Sequence, residues 1–78
     1  MSTLMESQIL ADARVLLVDR EGHRWPDNTL GILFSTGLAL EGVKRSDEAG
    51  YPERQARVLM AFVVNRALRM FDNQPWTL

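Results

Sequence analysis

One stretch constrains this chain more than any other: residues 51 to 72, YPERQARVLMAFVVNRALRMFD. Pro52 suits the start of a helix, where its missing N–H leaves nothing unsatisfied, and Glu53 complements the positive end of the helix dipole. On a wheel of ~100° per residue, Ala56, Leu59, Met60, Val63, Val64, Ala67, Met70 and Phe71 fill an arc of roughly 140°. That arc is the expected core face. The opposite arc carries Arg54, Arg57, Asn65, Arg69 and Asp72, with Val58, Ala61, Phe62 and Leu68 threaded between them. A helix apolar beyond a single stripe buries more than one side. The pattern therefore predicts a second contact surface at Val58, Ala61, Phe62 and Leu68, facing a second protomer or a partner protein.

Size sharpens that expectation. With 78 residues, a domain buries only about 60% of the surface its unfolded chain exposes. The chain has no cysteine, so neither a disulfide nor a thiolate metal site reinforces it. The remaining routes for so small a scaffold are oligomerisation or unusually apolar helix packing. The 46% apolar content fits both.

Upstream, Thr3 and Glu6 have the spacing of a capping box. Met5, Ile9, Leu10, Ala13, Leu16 and Leu17 then share one helical face, and Gly22 suits the position just past a helix end. A competing pattern takes residues 13 to 18 as a buried strand and 19 to 22 as a hairpin turn leading to His23, Arg24 and Trp25. Residues 23 to 28 read as a loop, with Pro26 holding Trp25 out of the helical region and Asp27 or Asn28 available as an N-cap. The second helix follows, uncharged from Asn28 to Leu40 and ending near Gly42. Leu30, Leu33, Phe34 and Leu40 form one face, while Ile32, Leu38 and Ala39 spoil the other. Gly31 and Ser35 make a small-residue pair that permits close helix approach. Each glycine inside a helix costs about 1 kcal/mol, so Gly31 and Gly37 call for a packing reason. Residues 43 to 50 are the most solvated stretch and read as a flexible loop. Beyond Asp72 the tail of residues 73 to 78 cannot continue the helix past Pro75, and Trp76 is expected to dock on the domain or on a sister protomer.

The expected architecture is thus an all-α, three-helix domain, dimeric, with helices over about 3 to 21, 28 to 42 and 52 to 72. The first helix sums to negative charge and the third to positive, which favours them as neighbours. No targeting segment or membrane-length apolar run is visible, so a cytoplasmic location is expected.

The residue types argue against chemistry. There is one histidine, no cysteine, and neither a nucleophile elbow nor a phosphate-binding glycine loop. His23 lies in a loop without a partner, Asp47 and Glu48 are adjacent rather than convergent, and Asp19 with Glu21 reads as a helix-end charge cluster. A non-enzyme without cofactor or metal is expected.

Two modes of binding remain. A ribbon-helix-helix regulator of nucleic acid would use residues 13 to 18 as its ribbon and Arg54, Arg57, Arg66 and Arg69 as phosphate contacts. However, Val15, Leu16, Leu17 and Val18 offer nothing to read base edges. Phosphate-gripping surfaces also have no use for Val58, Phe62 and Leu68, whereas protein interfaces combine apolar, aromatic and Arg anchors. The better-supported expectation is a regulator, adaptor or inhibitor that binds a larger protein. Its anchors are Arg54, Arg57, Phe62, Arg69 and Trp76, with the Trp25 region as a further candidate.

Overall fold

A computed structural model describes residues 3 to 19, 21 to 46 and 48 to 73, with side chains as far as residue 70. Three helices account for the architecture: α1 (Glu6–Leu17), α2 (Asp27–Glu41) and α3 (Glu53–Asn73). Two short strands, β1 (Thr3–Leu4) and β2 (Tyr51–Pro52), pair antiparallel with Thr3 opposite Pro52 and Leu4 opposite Tyr51. The all-α, three-helix expectation stands.

Helix α3 is the central element. It packs against α1 and α2 to a similar extent, while those two scarcely touch each other. Ile9, Ala13 and Leu17 of α1 follow a four-residue spacing and are buried. From α2 come Leu30, Phe34, Gly37 and Leu38, and from α3 Ala56, Leu59, Val63 and Ala67. Met60 and Val64 pack at the edge of this core. Phe34 and Tyr51 meet edge to face, centroids 5.6 Å apart at 71°, the arrangement favoured by aromatic quadrupoles. No helix among the described residues is long and apolar enough to cross a membrane.

Several local expectations need correction. Helix α1 begins at Glu6, not near Thr3, because Thr3 is drawn into the pairing with β2. Gln8 Oε1 accepts the Met5 N–H at 2.8 Å, so Gln8 reaches back to the helix start and Glu6 instead pairs with Arg45. The helix stops at Leu17, well before Gly22, because Val18 takes a left-handed conformation at φ 55°. Residues 13 to 17 are nonetheless helical, which removes the strand and hairpin alternative. Leu16 is exposed and not on the core face. On α2, Leu38 belongs to the core and Leu40 is exposed, the reverse of the periodic reading.

Gly31 and Gly37 also exchange roles. A Cβ at Gly31 would meet nothing within 4 Å, whereas one at Gly37 would lie 3.0 Å from Phe62 Cδ1 and 3.5 Å from Leu59 Cδ2. The close approach of α2 and α3 is therefore at Gly37. Gly42 ends α2 at φ 66°, as expected. The 43 to 50 connection is hydrogen-bonded at Ser46 and Gly50. The Ser46 N–H donates to the Tyr51 hydroxyl and the Gly50 N–H to Ser46 Oγ. Arg45 spans Glu6 and Ser35, with its guanidinium 6.0 Å above the Phe34 ring centroid.

Candidate interaction surface

Because core residues of α3 recur every three to four positions, the side of the helix opposite them faces away from both other helices. Arg54, Ala61 and Asn65 are exposed there, and Val58 and Leu68 retain 44% and 46% of their accessible surface. Val58 edges a shallow depression shared with Pro52, Arg54, Gln55 and Glu41. Arg57 donates to Glu53 Oε1 at 2.6 Å one turn earlier, a solvent-exposed pair of the kind worth about 0.5 kcal/mol. Arg69 is exposed on the same helix.

Phe62 stands apart from this face. Its ring rests on Gly37 of α2 and is half-buried, with the Arg66 guanidinium 5.1 Å from its centroid. Fold packing and a cation–π contact thus already occupy much of it. Of the predicted anchors, Arg54, Arg57 and Arg69 lie on α3 with Val58, Ala61 and Leu68, while Trp76 lies outside the described residues. Trp25 is not available as a surface anchor. It is 4% exposed, and its indole N–H donates to the Ala67 carbonyl at 3.2 Å.

Sequence reasoning missed what holds Trp25 there. Asp19, read as part of a helix-end charge cluster, is 5% exposed. Its carboxylate accepts the backbone N–H groups of His23 at 3.0 Å, Arg24 at 3.2 Å and Trp25 at 3.0 Å. Arg14 approaches the same carboxylate at 3.4 Å and reaches Asp27 at 2.6 Å. Burial acts to raise the Asp19 pKa. The three N–H donors and the Arg14 charge outweigh it, and the group is held below its ordinary 3.8. The only sequence signal for this was an aspartate placed shortly before a Gly and Pro-containing loop, a common setting for side-chain to backbone bonding.

His23 and Glu21 form an exposed pair at 2.7 Å. Among the described residues no three His, Asp or Glu side chains converge as a metal site would require. Further exposed apolar residues lie on α1 (Val15, Leu16) and α2 (Ile32, Leu40); α1 has the half-buried Arg14 and α2 no arginine, against the exposed Arg54, Arg57 and Arg69 of α3. Compared with known protein families, curated proteins and solved structures, the chain finds no match in any of the three.

Proposed function

We propose that this protein is a non-enzymatic protein–protein interaction module that works through the outward face of α3, as a regulator, adaptor or inhibitor of its partner. The observation that carries this reading is the exposure of Val58 and Leu68 on a face diametrically opposed to the core, with Arg54, Arg57 and Arg69 around them. Interfaces draw their energy from a few apolar and Arg anchors within a polar rim. A surface meant for phosphate has no need of the valine and leucine.

Photo-crosslinking tests the reading. A photoreactive residue at Ala61, in the cell that makes the protein, is expected to yield protein adducts. The same group at Asp12, exposed on α1, is expected to yield none. Adducts to nucleic acid from Ala61, or equal labelling from both positions, would overturn it.

A further inference from the structure

Among the described residues, Val18 is the one non-glycine residue with a positive φ. It sits at φ 55° with its side chain 87% exposed, a conformation that a β-branched residue resists. Such strain persists only where the surrounding structure over-determines it, and it clusters at switch regions. The restraint on Val18 is its neighbour. The Asp19 N–H donates to the Arg14 carbonyl at 2.9 Å, and the Asp19 carboxylate gathers the N–H groups of His23, Arg24 and Trp25. Trp25 carries the constraint on to α3, through its indole N–H on the Ala67 carbonyl. A strained residue, a buried acid and a tryptophan thus make one line of contacts from the end of α1 to the far half of α3.

Other contacts secure the starts of α1 and α3. There β1 pairs with β2, Phe34 meets Tyr51, and Arg45 joins Glu6 to Ser35. The outward face of α3 spans both regions. Arg54, Arg57 and Val58 follow β2 closely, whereas Leu68 and Arg69 come directly after Ala67. Val58 and Leu68 are about 15 Å apart along the helix.

We infer that Val18, Asp19 and Trp25 form a latch that opens as a unit, short of global unfolding, and that its opening releases the half of the α3 contact face carrying Leu68 and Arg69. This rests on the contact-surface reading given above and adds its regulation. Opening lets Val18 return to an unstrained conformation, frees the three loop N–H groups and lifts Trp25 from Ala67. A helix end that loses its packing partner frays, because most helical stability in proteins comes from tertiary packing. With the latch closed, Val58 and Leu68 belong to one rigid surface. With it open, only the Val58 half keeps its place.

Native-state hydrogen exchange of the wild type, followed by NMR at rising sub-denaturing urea, tests the unit. The N–H groups of residues 23 to 25, the Trp25 indole N–H and the amides of residues 67 to 70 are expected to share one opening. That opening is expected to be at least about ten-fold more frequent than the one exposing residues 34 to 38 and 59 to 63. Val18→Gly removes strain from the closed form and is expected to slow exchange in both latch segments by about five-fold. Asp19→Asn keeps the shape but replaces an acceptor oxygen, and is expected to speed both by about ten-fold or more. Unequal opening of the two segments, exchange of both only by global unfolding, or an Asp19→Asn effect confined to the loop would overturn the latch. Should Asp19→Asn fail to fold, the wild type and Val18→Gly decide the matter by the same criteria.

Crosslinking tests the regulation separately. With a photoreactive residue at position 58 or 68, Asp19→Asn is expected to lower the yield of protein adducts from 68 by about three-fold relative to 58. An unchanged ratio would overturn the regulation while leaving the latch. An absence of protein adducts from Ala61 in the wild type would overturn the contact surface, and the regulation with it, whatever the exchange result.

Discussion

The Asp19 carboxylate accepts the Trp25 backbone N–H at 3.0 Å, while the Trp25 indole donates to the Ala67 carbonyl of α3 at 3.2 Å. One buried acid thus organises the α1 to α2 connection, and the tryptophan it positions closes the core against the far half of α3. Replacing Trp25 by Ala is expected to destabilise the fold by about 3–5 kcal/mol, and by Phe by about 1–3 kcal/mol. Chemical denaturation monitored by helical circular dichroism measures both.

The same geometry sets a pH dependence. Asp19 is held below its ordinary 3.8 in the folded state, so the folded chain binds this proton less readily than the unfolded one. Its stabilising contribution is complete above the unfolded value and disappears as pH falls through it toward the lower folded value. Asp19→Asn is expected to be less stable than the wild type at neutral pH, with the gap closing below about pH 4. Thermal melts of both proteins between neutral pH and pH 3 measure that gap, and a gap independent of pH would contradict the assignment.

The two glycines inside α2 are expected to respond oppositely. Gly31→Ala enters open space and gains helix propensity, stabilising by about 0.5–1 kcal/mol. Gly37→Val drives its branched side chain into Phe62 and Leu59, and overpacking of this kind destabilises by about 1–3 kcal/mol. Denaturant midpoints of the two variants give the comparison.

These two glycines also mark where the sequence stopped being informative. The periodicity of α3 was legible because its core positions, Ala56, Leu59, Val63 and Ala67, repeat over about three turns, although Met70, expected on the same face, is exposed. On α2, with apolar residues almost all round, no period distinguishes Leu38 from Leu40, and only the contact with α3 decides which is buried. The capping of α1 by Gln8 and the pairing of Thr3–Leu4 with Tyr51–Pro52 depend on segments far apart in sequence meeting in space. Asp19 was hidden for the same reason, since its role depends on N–H groups that converge only after the loop closes. Candidate anchors on α3 were readable to the extent that helix geometry alone places them. Phe62 was not, because its burial depends on the absent side chain at Gly37.

Val18 carries a further expectation. It is a β-branched residue in the left-handed region, at φ 55° and 87% exposed, a conformation that glycine adopts freely and valine resists. Val18→Gly is expected to stabilise the protein by about 1 kcal/mol or more, measured by thermal and denaturant unfolding. A loss of stability would mean that the valine side chain contributes contacts exceeding its backbone strain.

The most direct test of the central claim, that the outward face of α3 is a contact surface, is solution mass by light scattering over a concentration series. It compares the wild type with a Val58→Glu, Leu68→Glu double variant. Both residues lie outside the buried core, so the variant is expected to keep its helical content. The account predicts a concentration-dependent dimer for the wild type and a folded monomer for the variant at every concentration. A wild-type dimer that persists unchanged in the variant would place the contact elsewhere on the molecule and contradict the account.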